Sequence, residues 1–558
     1  MNTLHHAHWP PAQPKEIRLP ATSLYANLEV SALRYPDKPA TIFYGSAMTY
    51  AQLRDRAERL AGFLQQRCGV AKGDRVLLHM QNSPQWIVAF YAILRADAVV
   101  VPVSPALVTD ELRHVATDAG AGVAVTAQEL WPRVAPLAGG PLARAVVATY
   151  SDALDASADP EAPDFVRAPR SVPQAPGVTP WSDALAADLA PGPHRAGPPD
   201  LAVLPYTSGT TGKPKGCMHT HRSAMHTAIA GQAWIGTLTA DGISLASLPF
   251  FHVTGMQSVM NGAIYTGHTL VPLTRWDRDA AGRLITRHRV TGWCAISTMV
   301  VDFLANPRLP EYDLSSLRII TGGGAAMPAA VAEKLRALTG LEYVEGYGLT
   351  ETMAPSHVNP LHRPKRACLG IPIYGTDARV IDPETRRELP PGEKGEIVIH
   401  GPQVFLGYWN DAQKTADAFL DLDGKRFFRT GDLGHVDEEG YFFISDRLKR
   451  MINASGMKVW PAEVEGILYG HPAIQEACVI ASPDAYRGET VKAVVVLRPG
   501  ARATAEEIAS WCRERMAAYK IPRLFAFVDT LPKSPTGKVA WRALQEREKF
   551  VAAGTDHG

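Results

Sequence analysis

The stretch Tyr206–Gly216, YTSGTTGKPKG, restricts this chain more than any other part of its sequence. It follows an apolar run, LAVLPY, and precedes THRSAMHTAIAGQAW, where Met225, Ala228 and Ile229 share one helical face. An apolar run, a loop and a helix in that order suit a layered α/β fold. Apart from Pro214, the residues from Thr207 to Gly216 are all Thr, Ser, Gly or Lys. Glycines let backbone N–H groups converge on an anion, hydroxyls add donors, and lysines neutralise charge. Thr207, Ser208, Gly209, Thr210, Thr211, Gly212, Lys213 and Lys215 are therefore candidate phosphate contacts. The loop is not a Walker A loop. Counting back from Gly212-Lys213 places Thr207 where a glycine is required, and Pro214 replaces the hydroxyl that would hold Mg²⁺.

A chain of 558 residues exceeds a single core, so two or more domains are expected. The net charge of +1 and the lack of a basic tract with interleaved aromatics argue against a nucleic-acid partner. Six scattered cysteines without CxxC spacing argue against a zinc ribbon or disulfide framework and fit a reducing cytoplasm. The start, MNTLHHAHWPPAQPKE, has no apolar core for a signal peptide, and His5, His6 and His8 read as a mobile terminus rather than a metal site. The most apolar long window, AFYAILRADAVVVPV, contains Arg95, Asp97 and Pro102, so no membrane span is expected.

Residues 20–135 alternate helical patterns with apolar runs. SPQWIVAFYAILRA opens on a Ser83 cap and a first-turn Pro84, and AVVVPV reads as a buried strand. The Ala/Pro/Asp-rich stretch Ser151–Pro199 reads as a surface excursion within one domain. Near the C-terminus, TAEEIASWCRERMAAY begins with a capping box, Thr504 and Glu507, between the apolar runs TVKAVVVLR and RLFAFVD. The expected division is a large domain over 1–446 and a small α+β domain over 447–558.

The glycine-rich string resembles the signature of the adenylate-forming superfamily, which includes acyl- and aryl-CoA synthetases, peptide-synthetase adenylation domains and beetle luciferases. The resemblance recurs in order from about Leu24 to Leu544. It implies an α/β fold: a large N-terminal domain of α/β subdomains with a small barrel-like subdomain, and a small mobile α+β C-terminal domain. PFFHVTG places His252 against the carboxylate pocket. TGGGAAMP places Gly323, Gly324 and Ala325 beside adenine. In EGYGLTE the resemblance implies that Gly346, Tyr347 and Gly348 face the nucleotide, with Tyr347 stacking on adenine, Thr350 contacting the α-phosphate and Glu351 ligating Mg²⁺. FFRTGDLG supplies Asp432 for the ribose hydroxyls, and DRLKR supplies Arg447 for ribose and phosphate, with Lys449 at the hinge. NASGMKVWPAEVE puts Ser455 and Gly456 at a pantetheine tunnel, and LPKSPTGKVAWRAL supplies Lys538, which reaches the carboxylate and α-phosphate during adenylation.

The implied reaction joins a carboxylate to ATP, giving acyl-AMP and pyrophosphate, and then passes the acyl group to coenzyme A. Its expected requirements are ATP, Mg²⁺ and coenzyme A. Glu351, Lys538, Thr350 and His252 are the candidate catalytic residues. The acyl pocket is expected around His252, Val253, Met256, Val259, Ala295, Ile296, Gly322 and Met353. This mostly apolar set favours an uncharged hydrophobic acid. GKPKGCMHTHRSAM resembles bacterial fatty-acyl-CoA ligases most. The alternatives are an aryl-CoA ligase, an acyl-adenylate ligase that loads a carrier protein, and an ATP-binding regulatory relative. Trp234 and Trp293 read equally as tunnel ends or core. Further expectations are a cytoplasmic location, a homodimer, and a lysine acetyltransferase acting on Lys538 through the PKSPTGK spacing.

Overall fold

The computed structural model describes residues 3–11, 13–156, 158–159, 162–171, 174–207, 214–236, 239–324, 327–447, 450–454, 457–484, 488–533 and 539–552. Its contacts form two compact units. The first comprises Met1–Ala378, Ile399–Phe428 and Glu439–Tyr441; the second comprises Arg379–Val398, Arg429–Glu438 and Phe442–Gly558. The long strand Lys425–Val436 gives its first residues to one unit and its last to the other.

Two largely parallel sheets organise the first unit. In the seven-stranded sheet, Leu201–Val203, Val99–Pro102, Arg75–His79, Val123–Ala127 and Arg144–Ala148 lie side by side in that order, all parallel. The helix Pro84–Arg95 starts where the sequence places it, with Ser83 Oγ accepting from the Trp86 N–H. Nearly every side chain of that helix is buried, so it serves as core on all sides. Ser151–Pro199 is corrected from a surface excursion. Val178–Pro180 is an edge strand of this sheet, and Trp181, Ala162 and Val166 are buried in the main core. Alanine and proline are compatible with an edge strand, where fewer backbone donors are needed.

The nine-stranded sheet places Tyr343–Leu349 beside Ile319–Gly323, followed by Gly292–Cys294, Ile243–Ala246 and Thr269–Pro272. These neighbours are parallel, while Ala354–Val358 turns back antiparallel against Tyr343–Leu349. The terminus is also corrected. Leu4–His8 forms a short 3₁₀ turn, His5 is buried, and Trp9 packs edge-on against Trp234 and Tyr374 at 4.8 and 5.3 Å. A tryptophan so near the end of a chain supplies the apolar area that anchors it.

The second unit contains an antiparallel sheet built on Ile474–Asp484 and Gly488–Leu497, extended by the parallel strand Leu524–Phe527. The helix Ala505–Arg513 carries the capping box read from sequence: Thr504 Oγ1 accepts from Glu507 N, and the Glu507 carboxylate accepts from Thr504 N. No helix among the described residues is long and apolar enough to cross a membrane.

Candidate active site

The two ends of the glycine-rich loop are fixed. Lys215 pairs antiparallel with Thr207, and Gly216 with Tyr206. Tyr206 Oη donates to Asp118 at 2.6 Å, and the ring of His114 lies 3.2 Å from the Pro214 carbonyl. The strand that leaves the loop is held by a second run: Trp409 N donates to Gly216 O at 2.8 Å, and Met218 N to Gly407 O at 3.0 Å. Ser208, Gly209, Thr210, Thr211, Gly212 and Lys213 lie outside the described residues, as do Ala325, Lys449, Ser455, Gly456 and Lys538.

Thr350 and Glu351 sit on a one-turn 3₁₀ element, Thr350–Thr352, at the end of Tyr343–Leu349. Several contacts clamp this turn. His219 Nε2 lies 2.8 Å from Thr350 O, and Phe405 N donates to Glu351 O at 2.9 Å. Tyr408 Oη donates to Glu351 Oε1, also at 2.9 Å. Burial lowers His219 to about 4, so at neutral pH its ring is uncharged and the Nε2 proton points at the carbonyl. The chain then passes through Met353 and Ala354 with φ of 49° and 73°. Such left-handed conformations in non-glycine residues cost about 1–3 kcal/mol each and cluster at functional sites.

Glycines in this region serve packing. A Cβ on Gly322 would lie 1.9 Å from Ala295 O and 2.0 Å from Tyr343 Oη, and one on Gly323 would lie 2.2 Å from Gly346 O. One on Gly348 would lie 2.3 Å from Ala354 O, and Gly324 has a φ of 84°. The strands therefore need these glycines to approach each other. The end of the following loop is held by Glu345, which is buried and accepts from Met327 N at 2.6 Å and Cys368 N at 3.3 Å. Burial raises its pKa, while the two backbone donors oppose that shift. Tyr347 is mostly buried, its ring 5.6 Å from that of His357.

Val253, Met256, Val259, Ala295 and Met353 all belong to the main apolar cluster, with Ile296 packed against it. Met256 and Val259 lie on a π-helical segment, Gly255–Asn261, whose wider turn is an irregularity often found at functional sites. His252 is half-buried, with Nδ1 accepting from Thr254 N at 3.3 Å. Trp293 stacks on Trp276 with ring centres 6.0 Å apart, and its Nε1 donates to Ser247 Oγ. Trp234 donates to Asn359 O, so both tryptophans are integrated into the core.

In the second unit, the register sets Asp432 opposite Arg447 across the antiparallel pair. Asp432 is fully buried, and its N–H donates to Thr430 Oγ1 at 3.0 Å, just after Gly431 with a φ of 68°. The ladder thus brings together two residues 15 positions apart in sequence.

A hydroxyl- and lysine-bearing hairpin beside a clamped carboxylate turn, both carried at the ends of parallel strands, is the architecture of an enzyme that handles a phosphorylated ligand. A family profile described as "AMP-binding enzyme" matches residues 28–409, and "AMP-binding enzyme C-terminal domain" matches residues 463–538. The chain is 36% identical to a long-chain-fatty-acid–CoA ligase of Bacillus subtilis (strain 168), with 97% of each chain covered. It is 37% identical to a feruloyl-CoA synthase of Amycolatopsis sp, over 90% of this chain and 94% of the relative. The crystal structure of ATP-bound MatB from Rhodopseudomonas palustris superposes with a TM-score of 0.83 at 31% identity, covering 96% of this chain and all of that one. The chain belongs to the AMP-binding family, and within it to the AMP-forming acyl-CoA synthetases. It is a ligase that uses ATP and coenzyme A to convert a carboxylic acid to its thioester through an acyl-adenylate.

Proposed function

We propose that the acid is a hydrophobic carboxylate, and a fatty acid first of all. The observation that carries this reading is the apolar character of the expected pocket: Val253, Met256, Val259, Ala295 and Met353 are all buried in one cluster. Attack of the carboxylate on the α-phosphate forms the acyl-phosphate bond and expels pyrophosphate. Thiolysis then forms the thioester and releases AMP. Both reactants of the first step are anions, so positive charge and N–H donors must converge where they meet. Lys215, Lys213, the loop amides and Lys538 are proposed for that role, with Tyr347 against adenine, Thr350 at the α-phosphate, and Asp432 and Arg447 at the ribose.

Glu351 suits an Mg²⁺ site of the phosphate-bridging kind. Among the described residues no group of three or more His, Cys, Asp or Glu side chains forms a protein cage, and Mg²⁺ beside nucleotides is held by one or two carboxylates plus phosphates and water. When bound, the ion would neutralise phosphate charge. Residues 447–558 are proposed to swing about Lys449, withdrawing Lys538 and bringing Ser455 and Gly456 to the pantetheine arm. Acetylation of Lys538 would remove its charge and stop adenylation. A homodimer and a cytoplasmic location belong to the same proposal and rest on the family resemblance.

The test is AMP formation from MgATP, with and without coenzyme A, across saturated acids from C2 to C18 plus benzoate and cinnamate. A CoA-dependent maximum at one aliphatic chain length supports the reading. A maximum at cinnamate establishes the aromatic alternative, which the feruloyl-CoA synthase relative favours. Pyrophosphate release that coenzyme A does not accelerate overturns free coenzyme A as the acceptor.

A further inference from the structure

Tyr408 lies where the phosphate loop and the carboxylate turn meet, and neither the motif reading nor the reaction assigns it a role. Its hydroxyl donates to Glu351 Oε1 at 2.9 Å, while the ammonium of Lys215 sits over its ring, 4.9 Å from the centroid. Its backbone is held independently of both contacts. Tyr408 N donates to Thr415 Oγ1 at 2.9 Å, Tyr408 bridges Cys217 across the antiparallel approach, and the flanking Gly407 and Trp409 are bonded to Met218 and Gly216. The ring also meets Phe405 edge-on at 4.9 Å. One rigid side chain therefore touches a cation of the anion loop with its face and a carboxylate with its edge.

We propose that Tyr408 is a positioning residue for adenylation, fixing the Glu351 carboxylate for a divalent cation and the Lys215 ammonium for the phosphates at a set separation. The inference rests on the reading of Glu351 as the metal carboxylate. Like any tyrosine hydroxyl it is protonated at neutral pH, and it is directed at Glu351 Oε1. It is therefore a permanent donor that occupies Oε1 and sets the orientation of the carboxylate. Partners of this kind, bonded to a metal's ligand, typically change metal affinity by about 10–100-fold when removed. The ring face holds Lys215 by cation–π attraction, which a phenylalanine would preserve and a leucine would not.

The experiment measures Mn²⁺ binding by the loss of free-Mn²⁺ electron paramagnetic resonance signal, using the full chain saturated with the non-cleavable α,β-methylene analogue of ATP. Metal-free binding of the same analogue is measured by calorimetry. Tyr408→Phe should weaken Mn²⁺ about tenfold and leave metal-free analogue binding unchanged. Tyr408→Leu should weaken both. Unchanged or tighter Mn²⁺ binding in Tyr408→Phe, while Glu351→Gln loses it, overturns the inference alone. Unchanged Mn²⁺ binding in Glu351→Gln overturns the reading of Glu351 and the inference with it. Thermal unfolding of each variant separates these effects from misfolding. Should Tyr408→Leu not fold, Lys215→Met gives the second arm and should weaken metal-free analogue binding.

Discussion

Replacing His219 should damage adenylation without touching any reacting atom. Its ring is fully buried, and its Nε2–H is directed at Thr350 O across 2.8 Å. In His219→Leu that carbonyl keeps only its bond from Met353 N at 3.1 Å, and losing one such hydrogen bond costs about 0.5–1.5 kcal/mol. The turn has reason to relax, because Met353 and Ala354 just beyond it are held at φ of 49° and 73°. If the loss is expressed at Thr350 and Glu351, each 1.36 kcal/mol is tenfold, so the rate falls roughly 2- to 13-fold. Acid-dependent exchange of labelled pyrophosphate into ATP reads this half-reaction alone. His219→Gln, whose amide can still donate, should recover most of the exchange. Wild-type exchange in His219→Leu would refute the reasoning, and so would a glutamine variant no better than leucine.

Lowering the pH should unfold the large unit well before its carboxylates are fully protonated. Burial lowers His5, His219, His221, His226 and His268 to about 4, and His79 and His357 to about 3. A depressed folded pKa gives stability that is present above the unfolded value near 6.5 and is lost as pH falls towards 4. By pH 5 each such histidine has forfeited about 2 kcal/mol, and together they approach the whole stability of an ordinary domain, roughly 5–15 kcal/mol. Circular dichroism should place the acid midpoint between pH 6 and 4.5, and a midpoint below pH 4 would contradict this. Separately, Lys538→Ala should abolish pyrophosphate exchange yet still form thioester from supplied acyl-adenylate and coenzyme A. Equal loss of both half-reactions would remove the case for a lysine that serves adenylation alone.

Local signals in the sequence carried well into the structure. Ser83 and Thr504 cap helices as their neighbours require, and the apolar runs AVVVPV and TVKAVVVLR are buried strands. These features depend on residues three or four positions apart, which a linear reading captures. Met225, Ala228 and Ile229 are buried as their helical spacing indicates, but so is most of the opposite face of His221–Ile235, because that helix is enclosed on several sides. The clamps of the site were not legible. His219 lies 131 residues from Thr350, and Tyr408 lies 57 from Glu351. Nothing in CMHTH or FLGYWN indicates which carbonyl or carboxylate the side chain will meet. Glu345 heads a motif read for its tyrosine and threonine, while its own carboxylate holds backbone donors of Met327 and Cys368. The glycines of TGGGAAMP and EGYGLTE read as ligand contacts, but at Gly322, Gly323 and Gly348 strand packing already requires a glycine.

The chain passes between its two compact units five times, and this bears on how the protein is made. Arg379–Val398 leaves the ribosome before its partners: Gly392 N bonds to Val436 O, and Glu396 pairs with Arg429. At about 5–20 residues per second, the buried strand Gly395–His400 waits roughly 2–8 s for Arg429–Glu438 to emerge. Asp377–Ile381 covers one of its edges, but an apolar strand whose other edge stays open for seconds is exposed to wrong partners. Changes within 379–398 should therefore be felt first as lost soluble yield during synthesis, even where the finished enzyme would tolerate them.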